Sequence, residues 1–124
     1  MPTHHEYLLN ILQQIIDSVT LLESLPDKPG DLDIIKREHA KIVGLMISIS
    51  HRMNDSQYTE YLQLLDMLKL FTSSFDFSRE INTMSELYSD DPHRLHNIRF
   101  KILDALNTNN LIELIKKTLR DLSN

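Results

Sequence analysis

Six histidines are the residues with the most chemistry to offer in this chain of 124 residues. His93 and His96 stand three apart, the spacing at which two imidazoles on one helix could share a metal ion. A third ligand would have to be Asp90 or Asp91, and no second histidine pair or Glu-x-x-His unit exists to build a dimetal centre. We therefore expect solvent-facing first-turn histidines and no metal site. The start Pro2-Thr3-His4 would suit square-planar copper or nickel if it became the free terminus, a pattern that arises readily by chance. There is no cysteine, which removes thiolate metal sites and cysteine nucleophiles. Two glycines leave no room for a phosphate-cradling loop, and no serine has a glycine-elbow context. The carboxylates are scattered over polar faces, so neither catalysis nor a cofactor is expected.

His39 is the histidine most in need of an account, because it interrupts an apolar helical stripe between Ile35 and Ile42. A phosphotransfer module would carry a lysine three residues and a glycine four residues beyond its histidine, on one exposed face. Here Lys41 is two residues on and Gly44 five, so Lys41 lies on the far side of the helix. A core-edge histidine with one nitrogen hydrogen-bonded is the simpler expectation. Phosphotransfer through His39 stands as an alternative function.

The charge distribution is sharper. Residues 1–91 hold 7 basic and 15 acidic side chains, residues 92–124 hold 6 and 3, and the whole chain is −5. Arg94, Arg99, Lys101, Lys116, Lys117 and Arg120 thus make a candidate charged docking face for an acidic protein or for nucleic acid. Segments 92–106 and 110–122 could even form a helix-turn-helix. Against this, Asn107-Thr108-Asn109-Asn110 lacks the turn glycine, and the last helix mixes three basic residues with Glu113 and Asp121. Pairing with the acidic front of the chain is the plainer reading, and a nucleic-acid-binding regulator using segment 92–120 is the second alternative.

Helices must position all of these groups. Leu8, Leu12, Ile15, Val19 and Leu22 share one stripe behind a Thr3–Glu6 capping box, and Pro26-Asp27-Lys28-Pro29-Gly30 turns the chain. A second helix begins at Asp31 or Asp33 and carries Ile35, His39, Ile42, Met46, Ile49 and Met53. Its β-branched run from Ile42 to Ile49 could be a strand, but no other segment offers a partner. A third helix opens at Asn54 or Ser56 with Tyr58, Tyr61, Leu65 and Leu68 on one face, and a short fourth follows Ser78, with Ile81, Met84 and Tyr88 inward. Asp91-Pro92 starts a fifth, and an Asn110–Glu113 box opens the last, with Leu111, Ile115, Thr118 and Leu122 inward. The expectation is one all-α domain over 1–124. It is a compact helical bundle of about five to six helices, two long N-terminal ones followed by shorter ones.

Two runs, 45–49 and 62–71, are apolar around much of their circumference, as core or as a shared interface such as a homodimer's. Met46, Ile47, Leu64 and Phe71 are the expected apolar anchors for a partner. With no basic run at the start and no apolar stretch longer than about half a bilayer crossing, a cytoplasmic chain with no membrane partner is expected. The function expected is non-catalytic, regulatory protein–protein binding by an adaptor, secretion chaperone, anti-activator or immunity-type inhibitor, with nucleic acid disfavoured as a partner.

Overall fold

A computed structural model describes residues 4–53 and 61–123. Six α-helices account for most of them: α1 (His4–Ser24), α2 (Asp31–Arg52), α3 (Leu62–Ser74), α4 (Ser78–Leu87), α5 (Pro92–Asn107) and α6 (Leu111–Ser123). No strand occurs among the described residues. The run Ile42–Ile49 is helical, because its flanks continue one 3.6-residue period and burial of that face outweighs the weak β preference of its branched residues. The expected Thr3 cap and the opening of the third helix at Asn54 or Ser56, with Tyr58, lie outside the described residues.

The helices form a compact bundle in which α1 packs on α2, α5 and α6, and α2 packs on α1, α3, α4 and α5. The stripes read from the sequence are the surfaces that meet. Leu8, Leu12, Ile15 and Leu22 of α1 face Ile35, Ile42, Met46 and Ile49 of α2 within one core cluster, all essentially without solvent exposure. The same core takes Leu95, Ile98 and Ile102 from α5 and Leu111 and Ile115 from α6.

Helix ends follow local chemistry. Asp91 accepts from the backbone N–H of His93 and Arg94, with Pro92 in the first turn of α5. Asp76 accepts from Ser78 N at 2.9 Å and so starts α4, which holds its carboxyl below the usual range. Gly30 precedes α2 at φ 96°, a backbone conformation that excludes most side chains. Asp31 does not cap α2 as expected. It lies in the first turn, buried, and accepts from Lys28 N at 3.0 Å within the preceding turn. Asn109 and Asn110, at φ 58° and 61°, supply the left-handed turn between α5 and α6 that a glycine would otherwise make.

Three of the four expected apolar anchors belong to the core. Met46 is fully buried, Leu64 and Phe71 are 3% exposed, and only Ile47 reaches solvent, at 42%. A side chain locked among core neighbours cannot anchor a partner without unfolding its own helix. Run 62–71 is split likewise, with Leu64, Leu65, Leu68 and Phe71 inside and Leu62 and Leu70 outside.

Arg99 requires a second correction, since it is not part of a docking face. Its side chain is 8% exposed, and its Nε and Nη2 donate to the two Asp27 carboxylate oxygens at 2.8 and 2.9 Å. Its Nη1 donates to the carbonyls of Leu22 and Glu23 at 3.1 and 3.4 Å. Helix α1 has no basic residue in its own last turn, and Arg99 supplies from α5 the positive charge and the donors that its C-terminal carbonyls lack. The guanidinium hydrogen bonds hold the Asp27 carboxyl below its ordinary 3.8, with burial opposing and His96 assisting. Asp27 itself adopts φ 62°, so this ion pair pins a left-handed corner.

Candidate functional site

An open cleft of about 720 Å³ lies between α4 and α5. Its floor is apolar, made by Met84 and Ile98 from the buried stripes of the two helices. Its rim is aromatic and charged. Tyr88 was expected inward but is 39% exposed, because α4 ends at Leu87 and the chain has left the helical register before the ring could reach the core. Phe100 stands on α5 between the buried Arg99 and the exposed Lys101, and is 44% exposed.

Neighbours hold both rings. The Arg94 guanidinium lies 3.6 Å over the Tyr88 ring, and the Asp91 carboxylate is 3.7 Å from Arg94 Nε. The His96 ring lies 4.3 Å from the Phe100 ring centroid, inclined by 35°. His96 Nδ1 is in turn 3.1 Å from an Asp27 oxygen, and Asp27 is fixed by Arg99. The carboxylate accepts from Nδ1, which fixes the orientation of the ring. The clamp at the α1–α2 turn thereby orients the aromatic rim of the cleft. Lys101 pairs with Glu80 across the cleft at 3.2 Å. Arg79 also lines it and has no ion pair among the described residues.

The six cations expected to act together are placed apart. Arg94 and Lys101 line the α4–α5 cleft, Arg99 is internal, and Lys116, Lys117 and Arg120 are exposed on α6. Lys117 lines a different cleft, with His5 and Asp121. The arrangement therefore offers several small charged sites rather than one basic track. Arg79, Tyr88 and Phe100 were missed as site residues. The only signal available was Phe100 standing between Arg99 and Lys101; Tyr88, between Leu87 and Ser89, and Arg79 carried none.

The histidines separate by burial. His93 is exposed at the start of α5, and His5 Nε2 lies 2.7 Å from the Leu122 carbonyl oxygen. No group of three or more metal-ligating side chains is assembled among the described residues. His39 is 5% exposed, edge-on to Phe77 at 5.7 Å between centroids, and its Nε2 has no hydrogen-bond partner. Burial lowers its pKa from the ordinary 6.5, opposed by the Asp76 carboxylate. The burial of Nε2 weighs against the phosphotransfer alternative, which needs an exposed imidazole. No helix among the described residues is long and apolar enough to cross a membrane.

The α4–α5 cleft can bind a carboxylate through Arg79 and Arg94 and seat an apolar side chain between Tyr88 and Phe100. No protein-family model, curated protein or solved structure matches the chain.

Proposed function

We propose that this chain is a non-catalytic, cytoplasmic regulatory protein that binds an acidic segment of another protein in its α4–α5 cleft. One observation carries the reading: two exposed aromatic rings and two arginines converge on a single concave site with an apolar floor. Tyrosine and arginine are the residues most enriched among energetic hot spots, and here both are held in place before any partner arrives. Phe100 and Tyr88 take an apolar side chain of the partner. Arg79 and Arg94 take its carboxylates, with Lys101 adding long-range attraction that sets the association rate. The dispersal of the remaining cations favours this local recognition over nucleic-acid binding.

The test is capture from native extract with the full chain, with variants F100D and R79E, and with K117E as a control on another face. Circular dichroism confirms that each variant is folded. One protein retained by wild type and K117E but lost from F100D and R79E is the expected result. Equal retention by all four chains, or recovery of nucleic acid that K117E reduces, overturns the reading.

A further inference from the structure

A second surface differs from this cleft in kind. The solvent-exposed positions of α2 recur every three or four residues from Asp33 to Arg52 and form one stripe along the helix. That stripe carries Lys36, Arg37, Lys41 and Arg52 against a single acid, Asp33, on a chain whose net charge is −5. Along its middle, one turn apart, run the small residues Ala40, Gly44 and Ser48, all exposed, with Ile47 beside them as an exposed apolar side chain.

Glycine and alanine are scarce here, with two of each in the whole chain. Gly44 sits in the interior of a 22-residue helix, where glycine is unfavourable. A Cβ built there would meet nothing within 4 Å, so no contact inside the molecule requires its absence. What the missing side chain does permit is close approach of another helix from outside.

The stripe borders a groove of about 570 Å³ whose opposite wall includes Phe75 and Ile81. From Lys36 to Ile47 the α2 side of the groove is about 16 Å long, the length of three helical turns. His39 forms part of the same lining, and its buried Nε2 lacks a hydrogen-bond partner. The acid in the far wall, Asp76, already accepts from Ser78 at the start of α4.

We infer that the solvent face of α2 is a docking surface for an acidic amphipathic α-helix of another protein, packed close over Gly44. Charge decides the occupant. If a second copy crossed antiparallel at Gly44, residues equidistant from the crossing would meet. That would set Lys36 against Arg52 on both sides of the crossing, like against like. Arg37 already pairs with Glu38 at 3.2 Å, and a helix with Glu or Asp flanking a strip of Ala and Leu meets complementary charge at Lys36, Lys41 and Arg52 instead.

The probe is a display library of amphipathic helices roughly five turns long, with Glu, Lys, Ala or Leu allowed at each contact position, selected on the full chain. Selected helices are expected to be rich in Glu and to bind G44L and K41E at least about tenfold more weakly than wild type. They should bind F100D unchanged, since Phe100 belongs to the other cleft. Circular dichroism and melting temperature show that G44L is folded. Selected helices that bind G44L as tightly as wild type, or that carry no excess of Glu over Lys, overturn the inference. So does a wild-type dimer that G44L converts to monomer, which would make a second copy the occupant.

Discussion

Replacing Arg99 with methionine keeps the length and apolar stem of the side chain and removes only its head. The Asp27 carboxylate, 13% exposed, then loses both guanidinium hydrogen bonds and keeps only His96. The Leu22 and Glu23 carbonyls at the end of α1 lose their donor as well. Breaking one side of a largely buried ion pair costs about 3–5 kcal/mol, and the residual exposure of Asp27 and its contact with His96 put this one near about 3 kcal/mol. For a chain of 124 residues, an unfolding entropy of about 2.1 cal/mol/K per residue turns that into a fall in Tm of about 12 °C. Asp27→Asn is the matching change. Asparagine tolerates the left-handed backbone at φ 62°, so it removes the charge without adding backbone strain. The double variant should lose less than the sum of the singles, by about 2 kcal/mol.

The pair also has a pH signature. The folded pKa of Asp27 is depressed, so its contribution is complete above the ordinary 3.8 and is lost as pH falls through the lower folded value. The difference in urea stability between wild type and R99M should therefore stay constant at neutral pH and shrink in the acid range, where Asp27 takes up its proton more readily without the guanidinium than with it. Additive losses in the double variant would refute this account, as would an R99M within about 1 kcal/mol of wild type.

Three further outcomes follow from the same geometry. Gly44→Ala should stabilise the isolated chain by about 0.5–1 kcal/mol, raising Tm by roughly 2–4 °C, because the added methyl meets only open space; a drop in Tm would mean that the glycine serves the fold. Burial lowers the His39 pKa, so its neutral form is the folded one. Its share of stability is full above 6.5 and falls as pH drops below 6.5 toward the lowered folded value, by at most about 1.4 kcal/mol per pH unit. Urea midpoints at two pH values should show that slope in wild type and its loss in His39→Leu. Met46→Ala should cost about 2–5 kcal/mol, whereas Ile47→Ser, one residue on but at the surface, should cost under about 1 kcal/mol; similar losses at both positions would contradict the assignment of core and surface on α2.

The helices, and most of the core stripes on them, were legible in the sequence. Leu8, Leu12, Ile15 and Leu22, or Leu95, Ile98 and Ile102, repeat at the period of a helix, and that repeat is a local property. Caps such as Asp91-Pro92 were readable for the same reason, since the groups involved are two or three residues apart. Where a segment is apolar on all sides, the period no longer selects a face. Met46 falls on the α2 stripe in the sequence, but whether that stripe and neighbouring Ile47 meet the chain's own core or a partner is decided only when α1 and α3 close over Met46. Charge was harder still. Arg99 reads as one of six cations in a basic segment, and its partner lies 72 residues away, across a turn whose position depends on how α1 and α5 pack. Tyr88 became part of a cleft because α4 ends one residue before it. Backbone periodicity is set within about one helical turn, so sequence determined the elements and the faces they bury. Ion pairs and clefts join groups distant in the chain, and only tertiary packing decided which cations are structural and which stay exposed.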